Sequence, residues 1–303
     1  MSRHFTYLVL LMITSASVVQ SQYYFYNDKY YNSLTLAEAG FSIGGMNCLT
    51  DLGGRKGNGK PFLKDINWKN THPAGGSYFG LLYDQTFGIR AEVQFGKISA
   101  SDNILKDDQS SAKNRYNRNL HFKSNITEVL LLAEFFPLAL FNREHTPFIS
   151  PFLLSGIGIF RFNPQAQLNN QWIDLHPLHT EGQGFKEYPG KTPYKITQVN
   201  FPVGFGLRYE ISALINARLE MVYRFLRTDY LDDVSTQYID PSMFYTNLSV
   251  REAGIAKNLA DRSAELQPGI SRHEGEIRGN PENRDTYFSC NLKVGLILNR
   301  KAR

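Results

Sequence analysis

Across residues 198–225 the chain alternates strictly. Val199, Phe201, Val203, Phe205, Leu207 and Tyr209 take the odd positions, against Gln198, Asn200, Gly204, Gly206, Arg208 and Glu210. After residues 211–214 the alternation resumes, with Ile215, Ala217, Leu219, Met221, Tyr223 and Phe225 opposing Asn216, Arg218, Glu220 and Arg224. A period of two, held twice over about ten residues, predicts a β-hairpin with one apolar and one polar side. Each arm is long enough to cross a bilayer, which takes ~9–11 tilted strand residues.

The same period recurs along the chain. Strand one is expected over 33–47, with Ala37, Ala39, Phe41 and Ile43 opposite Glu38, Gly40, Ser42 and Gly44. Strand two, near 77–84, is less regular and leads into a turn at 85–88. Strand three sets Ile89, Ala91, Val93 and Phe95 against Arg90, Glu92, Gln94 and Gly96; strand four sets Val129, Leu131, Ala133 and Phe135 against Glu128, Leu130, Leu132 and Glu134. Strand five, over 148–162, is apolar in both phases. The last strand opposes Cys290, Leu292, Val294 and Leu296 to Asn291, Lys293 and Gly295. Long polar stretches at 48–76, 98–119, 163–194 and 227–285 alternate with short turns. In the longest, Leu248, Ile255, Leu259 and Leu266 have helical spacing, which predicts a short amphipathic helix after Asn247. Pro202 has no N–H for a ladder and predicts a bulge.

Eight strands joined alternately by long loops and short turns predict an all-β fold, an eight-stranded antiparallel transmembrane β-barrel with extracellular loops and periplasmic turns. A secreted barrel with the apolar phase inward has the same period. The membrane version is favoured because the polar phase mixes both signs, Glu38, Arg90, Glu92, Glu128, Glu134, Arg208, Glu210, Arg218, Glu220, Arg224 and Lys293, with small glycines among them. Such a set neutralises itself inside a lumen only just wide enough for side chains. A barrel plugged in this way has no open pore.

The ends fit export. Arg3 and His4 precede an apolar run from Phe5 to Ile13 and a small-residue stretch, so residues 1–21 read as a cleaved signal peptide, 22–32 as an aromatic periplasmic lead-in and 33–303 as the barrel domain. The balance of 33 basic to 28 acidic residues is too even to argue for nucleic acid. Cys48 and Cys290 share an oxidising compartment, but their phases point to opposite faces, so two unbridged thiols are expected.

Candidate chemistry is sparse. Residues 54–60 mimic the front of a phosphate-binding loop, but Pro61 stands where a magnesium-binding hydroxyl belongs. Lys56, Lys60, Lys64 and Lys69 in that loop are candidates for contact with lipopolysaccharide phosphates. Asp229, Asp232 and Asp233 are candidates for a Ca²⁺ site, without the spacing of an EF-hand. His176 and His179 lack an accompanying nucleophile motif. The chain therefore reads as a non-enzyme with no cofactor, a monomer embedded in outer-membrane lipid and lipopolysaccharide.

Several stretches are more specific than the strand alternation: residues 38–47, 49–52, 118–120, 122–124, 180–185 and 228–236. Together they resemble a family of outer-membrane β-barrels catalogued as domain of unknown function 6089, over about 33–298. Members of that family include the barrel component of the type IX secretion system, which also serves gliding motility. The resemblance implies a periplasmic lipoprotein ring of the secretion machinery as partner and carries over no catalytic or metal residue. A surface-exposed structural or adhesion barrel working through its loops is the alternative expectation.

Overall fold

The computed structural model describes residues 34–53, 67–106, 113–140 and 149–300. The expected signal peptide, the lead-in, Lys56, Lys60 and Lys64 lie outside the described residues.

Eight strands close on themselves: β1 (Thr35–Leu49), β2 (His72–Tyr83), β3 (Phe87–Ser101), β4 (His121–Phe135), β5 (Ile149–Arg161), β8 (Thr197–Glu210), β9 (Ile215–Leu226) and β10 (Thr286–Ile297). Each pairs antiparallel with its neighbours, and the β1–β10 and β3–β4 ladders complete the ring. The closure has a sequence cause: every strand carries the alternation that lets one face turn outward and the other inward. Two further short strands, β6 (Pro164–Leu168) and β7 (Gln171–Asp174), form a hairpin that extends β4 above the barrel. The sequence pattern did not show it, because it lies in a loop of mixed polarity.

Side-chain exposure settles the orientation of the faces. Phe41 is 77% exposed and Ile43 70%, whereas Arg90 is 1% and Lys293 0% exposed. A barrel with its hydrophobic residues outside and its charges inside is the reverse of a soluble protein, and only hydrocarbon is a suitable solvent for that exterior.

Several expectations need correction. Strand two is regular, with Phe79, Leu81 and Tyr83 outward and Tyr78 and Leu82 inward; both of its phases are apolar, which blurred the period. The turn after it is Asp84–Gln85–Thr86, with positive φ at Asp84 and Gln85, so Phe87 and Gly88 belong to β3. There is no bulge at Pro202: the β5–β8 register passes from Ser155↔Val203 to Gly158↔Asn200 without an extra residue, and pairing lapses for two positions instead. In β5, Phe152, Leu154 and Phe160 turn inward, which explains its two-sided pattern. Phe152 and Leu154 form an apolar wall with Leu130 and Leu132 of β4, while Phe160 packs in the loop-end cluster with Phe122 and Phe162.

Gly44 shows what the coiled sheet demands. A Cβ there would overlap the Cys290 carbonyl on β10, so only glycine lets β1 and β10 approach at that point. Cys48 is buried, Cys290 is exposed, and both are free thiols.

Candidate functional site: a sealed lumen beneath a folded cap

The lumen network follows from register. Arg208, Arg218 and Lys293 sit directly opposite one another across β8, β9 and β10, a row of three cations on one wall. Like charges so placed repel. Their neutralisation comes largely from across the lumen. Arg218 donates Nε to Glu38 Oε1 at 3.0 Å and Nη2 to Glu38 Oε2 at 2.8 Å, and its Nη1 reaches Glu134 Oε2 at 2.9 Å. Lys293 Nζ lies 2.5 Å from Glu92 and 2.7 Å from Glu220. Arg90 bridges Glu134 at 2.8 Å and Glu220 at 2.9 Å. Arg224 donates to Glu128 at 2.6 Å, Gln94 at 2.7 Å and Ser289 at 2.7 Å. The Tyr78 hydroxyl donates to Glu38.

Five carboxylates (Glu38, Glu92, Glu128, Glu134, Glu220) thus face five cations (Arg90, Arg208, Arg218, Arg224, Lys293), all of them buried. Ten of the eleven charged residues expected in the polar phase are in this set. Glu210 is at its edge, half-buried at the turn end with Arg208 at 3.2 Å and Arg300 at 3.4 Å. Glu128 and Glu134 on β4 belong to the network as their polar phase implied, with Leu130 and Leu132 between them also facing inward. Apolar clusters pack with the charges, one from Leu36 and Ile297 up the β4–β5 wall and one at the loop end around Met46, Ile98, Phe122 and Phe162. With side chains this close, the middle of the barrel is a plug.

Above the barrel, the loops fold into a cap with its own core of Leu178, Phe185, Ile239, Phe244, Ala253 and Leu259. The expected helix is Val250–Ala260, capped by a reciprocal Ser249–Glu252 box, and it buries Ala253, Ala256 and Leu259. Leu266 lies in a separate short helix, Ser263–Leu266.

The cap is pinned to the barrel by a buried polar hub. Glu181 accepts from Arg278 at 2.9 Å, from the Ser235 and Thr236 amides at 3.0 Å each, and from the Thr236 hydroxyl at 2.6 Å. Asp102 takes both Nε and Nη2 of Arg118 at 2.9 Å, and Arg118 donates onward to the carbonyls of Asp51 and Arg278. Four loop regions therefore meet here, through residues of the stretches 49–52, 118–120, 180–185 and 228–236. The hub was not foreseen as a site; its signal was the placing of one charged residue, Glu181, beside Gly182 and Gly184, whose φ values of 76° and 86° shape a tight turn.

The candidate Ca²⁺ residues do not converge. Asp233 accepts from Thr180 Oγ1 at 2.5 Å and Tyr194 OH at 2.7 Å, while Asp232 accepts from the amides of Leu52 and Val234. Among the described residues no cluster of carboxylates, histidines or cysteines has metal-binding geometry. Asp229 and Asp232 instead lie near Asp51 and Asp285. Burial raises the carboxyls of Asp229 and Asp232 to about 8 and that of Asp51 to about 6, and burial with the neighbouring aspartates lifts Asp285 well above the usual range. His176 Nε2 donates to the Tyr194 carbonyl at 2.8 Å, and His179 packs on the Phe185 ring. Lys69 is exposed.

A pH dependence follows. The folded cap keeps protons on these aspartates that an unfolded chain releases near its ordinary value of 3.8. Cap stability therefore falls as pH rises from about 4 to about 8. Amide protection factors of Leu231, which donates to Asp285, and Val234, which donates to Asp232, are expected to fall over that window. Protection independent of pH would overturn the assignment.

Closed register, apolar exterior and neutralised lumen together define an outer-membrane β-barrel. No protein-family model matches the chain, and a search of curated proteins gives no match. Among solved structures it is similar to the N-terminal β-barrel domain of Pseudomonas aeruginosa OprF, at 10% identity and a TM-score of 0.34, covering 88% of this chain and 100% of that one. It is also similar to Ail, the attachment invasion locus protein of Yersinia pestis, in complex with the heparin analogue sucrose octasulfate (8% identity, TM-score 0.35, 87% and 97% covered). A third similar structure is Neisserial surface protein A (7% identity, TM-score 0.32, 88% and 98% covered).

Proposed function

We propose that this chain is a non-enzymatic barrel that anchors or stabilises the type IX secretion and gliding machinery, with the periplasmic lipoprotein ring as its partner. The observation that carries the non-transporting, scaffolding part is the sealed lumen: with Arg90, Arg224 and Lys293 buried among paired carboxylates, only the surfaces remain to act. The partner rests on the resemblance of the loop stretches, several of which supply the cap hub. Affinity purification of the tagged protein from outer membranes in mild detergent is expected to recover ring lipoproteins. Their absence would refute the anchoring role.

A second reading is a surface barrel that acts in adhesion. It is favoured by the cap, which is packed around its own core and held by the Glu181–Arg278 pair, a surface already ordered before any partner arrives. Removing residues 263–277 separates the two readings. Secretion that persists while surface attachment is lost favours adhesion, and the reverse favours anchoring.

A further inference from the structure

The outward positions of the eight barrel strands carry charge in only three places, Lys97 on β3, Lys123 on β4 and Arg161 on β5, and all three are basic. These strands are neighbours in the ring, and register places the two lysines side by side with Arg161 further along the same rim. Lys97 is opposite Asn125 and Lys123 is opposite Ser99, which makes the two lysines diagonal neighbours on one face; Arg161 is opposite Thr127. Lys195 and Arg227, both exposed, continue the basic rim just beyond the loop ends of β8 and β9. Among the described residues no carboxylate pairs with any of the five.

Their depth is informative. On β3 the outward residues from Phe87 to Phe95 are apolar, and a rise of ~3.4 Å per residue at a tilt of ~40° spreads them over about 20 Å along the barrel axis. Lys97 is one outward step beyond Phe95, about 5 Å higher, and Arg161 stands in the same relation to Ile159. That is headgroup depth. At the opposite, turn end, the described outward strand residues carry no charge, the exposed turn residue Asp84 is acidic rather than basic, and Tyr83, Phe87 and Ile215 are exposed there. Aromatic rings support the rim: Lys123 Nζ is 3.7 Å from the Trp172 ring centre and Arg227 is 5.3 Å from that of Phe201.

Unneutralised cations at headgroup depth, on one leaflet only, call for anions in that leaflet. We propose that the face formed by Lys97, Lys123 and Arg161 docks a phosphorylated glycolipid of the outer leaflet through its phosphate groups, with its acyl chains against the apolar band below.

The full chain, extracted in detergent, is exchanged into vesicles of phosphatidylcholine doped with diphosphorylated lipid A, repurified, and its retained lipid measured by native mass spectrometry. Retention of lipid A is expected to fall at least about tenfold in the triple variant K97Q/K123Q/R161Q, on a scale of several-fold per charge. It is expected to survive in K97R/K123R. Equal retention by the triple variant would overturn the proposal, as would equal retention of dephosphorylated lipid A by the unaltered chain. Complete displacement by inorganic phosphate would overturn the assignment to a lipid. Heat-modifiable gel migration reports whether the variants fold; if the triple variant does not, Arg161→Gln alone, at an exposed side chain, is expected to lose about threefold, and no loss there overturns the proposal.

Discussion

Replacing Arg218 with methionine is expected to lower the barrel's unfolding free energy by about 3–5 kcal/mol, because it strands buried carboxylates rather than because it deletes a contact. Arg218 holds both oxygens of Glu38 and reaches Glu134, and its guanidinium lies between the Tyr78 and Phe152 rings at 5.7 and 5.6 Å. Without it, Glu38 keeps Arg208 at 3.9 Å and the Tyr78 hydroxyl, and Glu134 keeps Arg90. Methionine fills much of the volume, so packing loss stays small and the measurement isolates charge. Urea unfolding in detergent, followed by tryptophan fluorescence and heat-modifiable migration, measures the effect. Adding Glu38→Gln to Arg218→Met is expected to recover part of the loss, since the partner left behind is then neutral. A double variant as unstable as the single one would show that the penalty was packing and not stranded charge.

Replacing Glu181 with alanine is expected to free the cap while leaving the barrel closed. The substitution removes an acceptor for Arg278, for two backbone amides and for the Thr236 hydroxyl, and it leaves Arg278 buried at 2% exposure. Asp233 and its carbonyl then remain beside that cation, which softens the loss, so about 3 kcal/mol is the expected cost to the cap. Hydrogen exchange should rise across 231–239 and across the helix Val250–Ala260, with β8 and β9 still protected. If exchange rose equally in β8 and β9, cap and barrel would be one cooperative unit and the hub would not be a separate fastening.

The barrel was legible because strand alternation is a local property. In β9, Leu219 and Phe225 are about half exposed while Arg218, Glu220 and Arg224 are buried, which is the face assignment the alternation implied. The pattern was least legible where both faces are apolar. Phe152 and Leu154 point into the lumen and Leu153 and Ile157 point to lipid, and the sequence distinguishes them only by position. The cap was mostly illegible. Residues 180–185 and 228–236 contain no run of a single period, and their carboxylates could be assigned to a metal site as readily as to the Arg278 and amide partners that they have.

By itself, then, the sequence determined the number of barrel strands and their phase, since both follow from the side-chain period of two along each strand, and the mixed signs of the polar phase pointed that phase inward. Only the tertiary structure decided which charge meets which. Arg208, Arg218 and Lys293 are neighbours along one wall and would repel; Glu38, Glu92 and Glu134 reach them only after β1, β3 and β4 have come round to face that wall. Likewise, Glu181 and Arg278 are 97 residues apart and meet only when two loops fold over the same barrel end. Pairing across a lumen depends on ring closure and strand stagger, quantities set by the whole sheet, and no single strand encodes them.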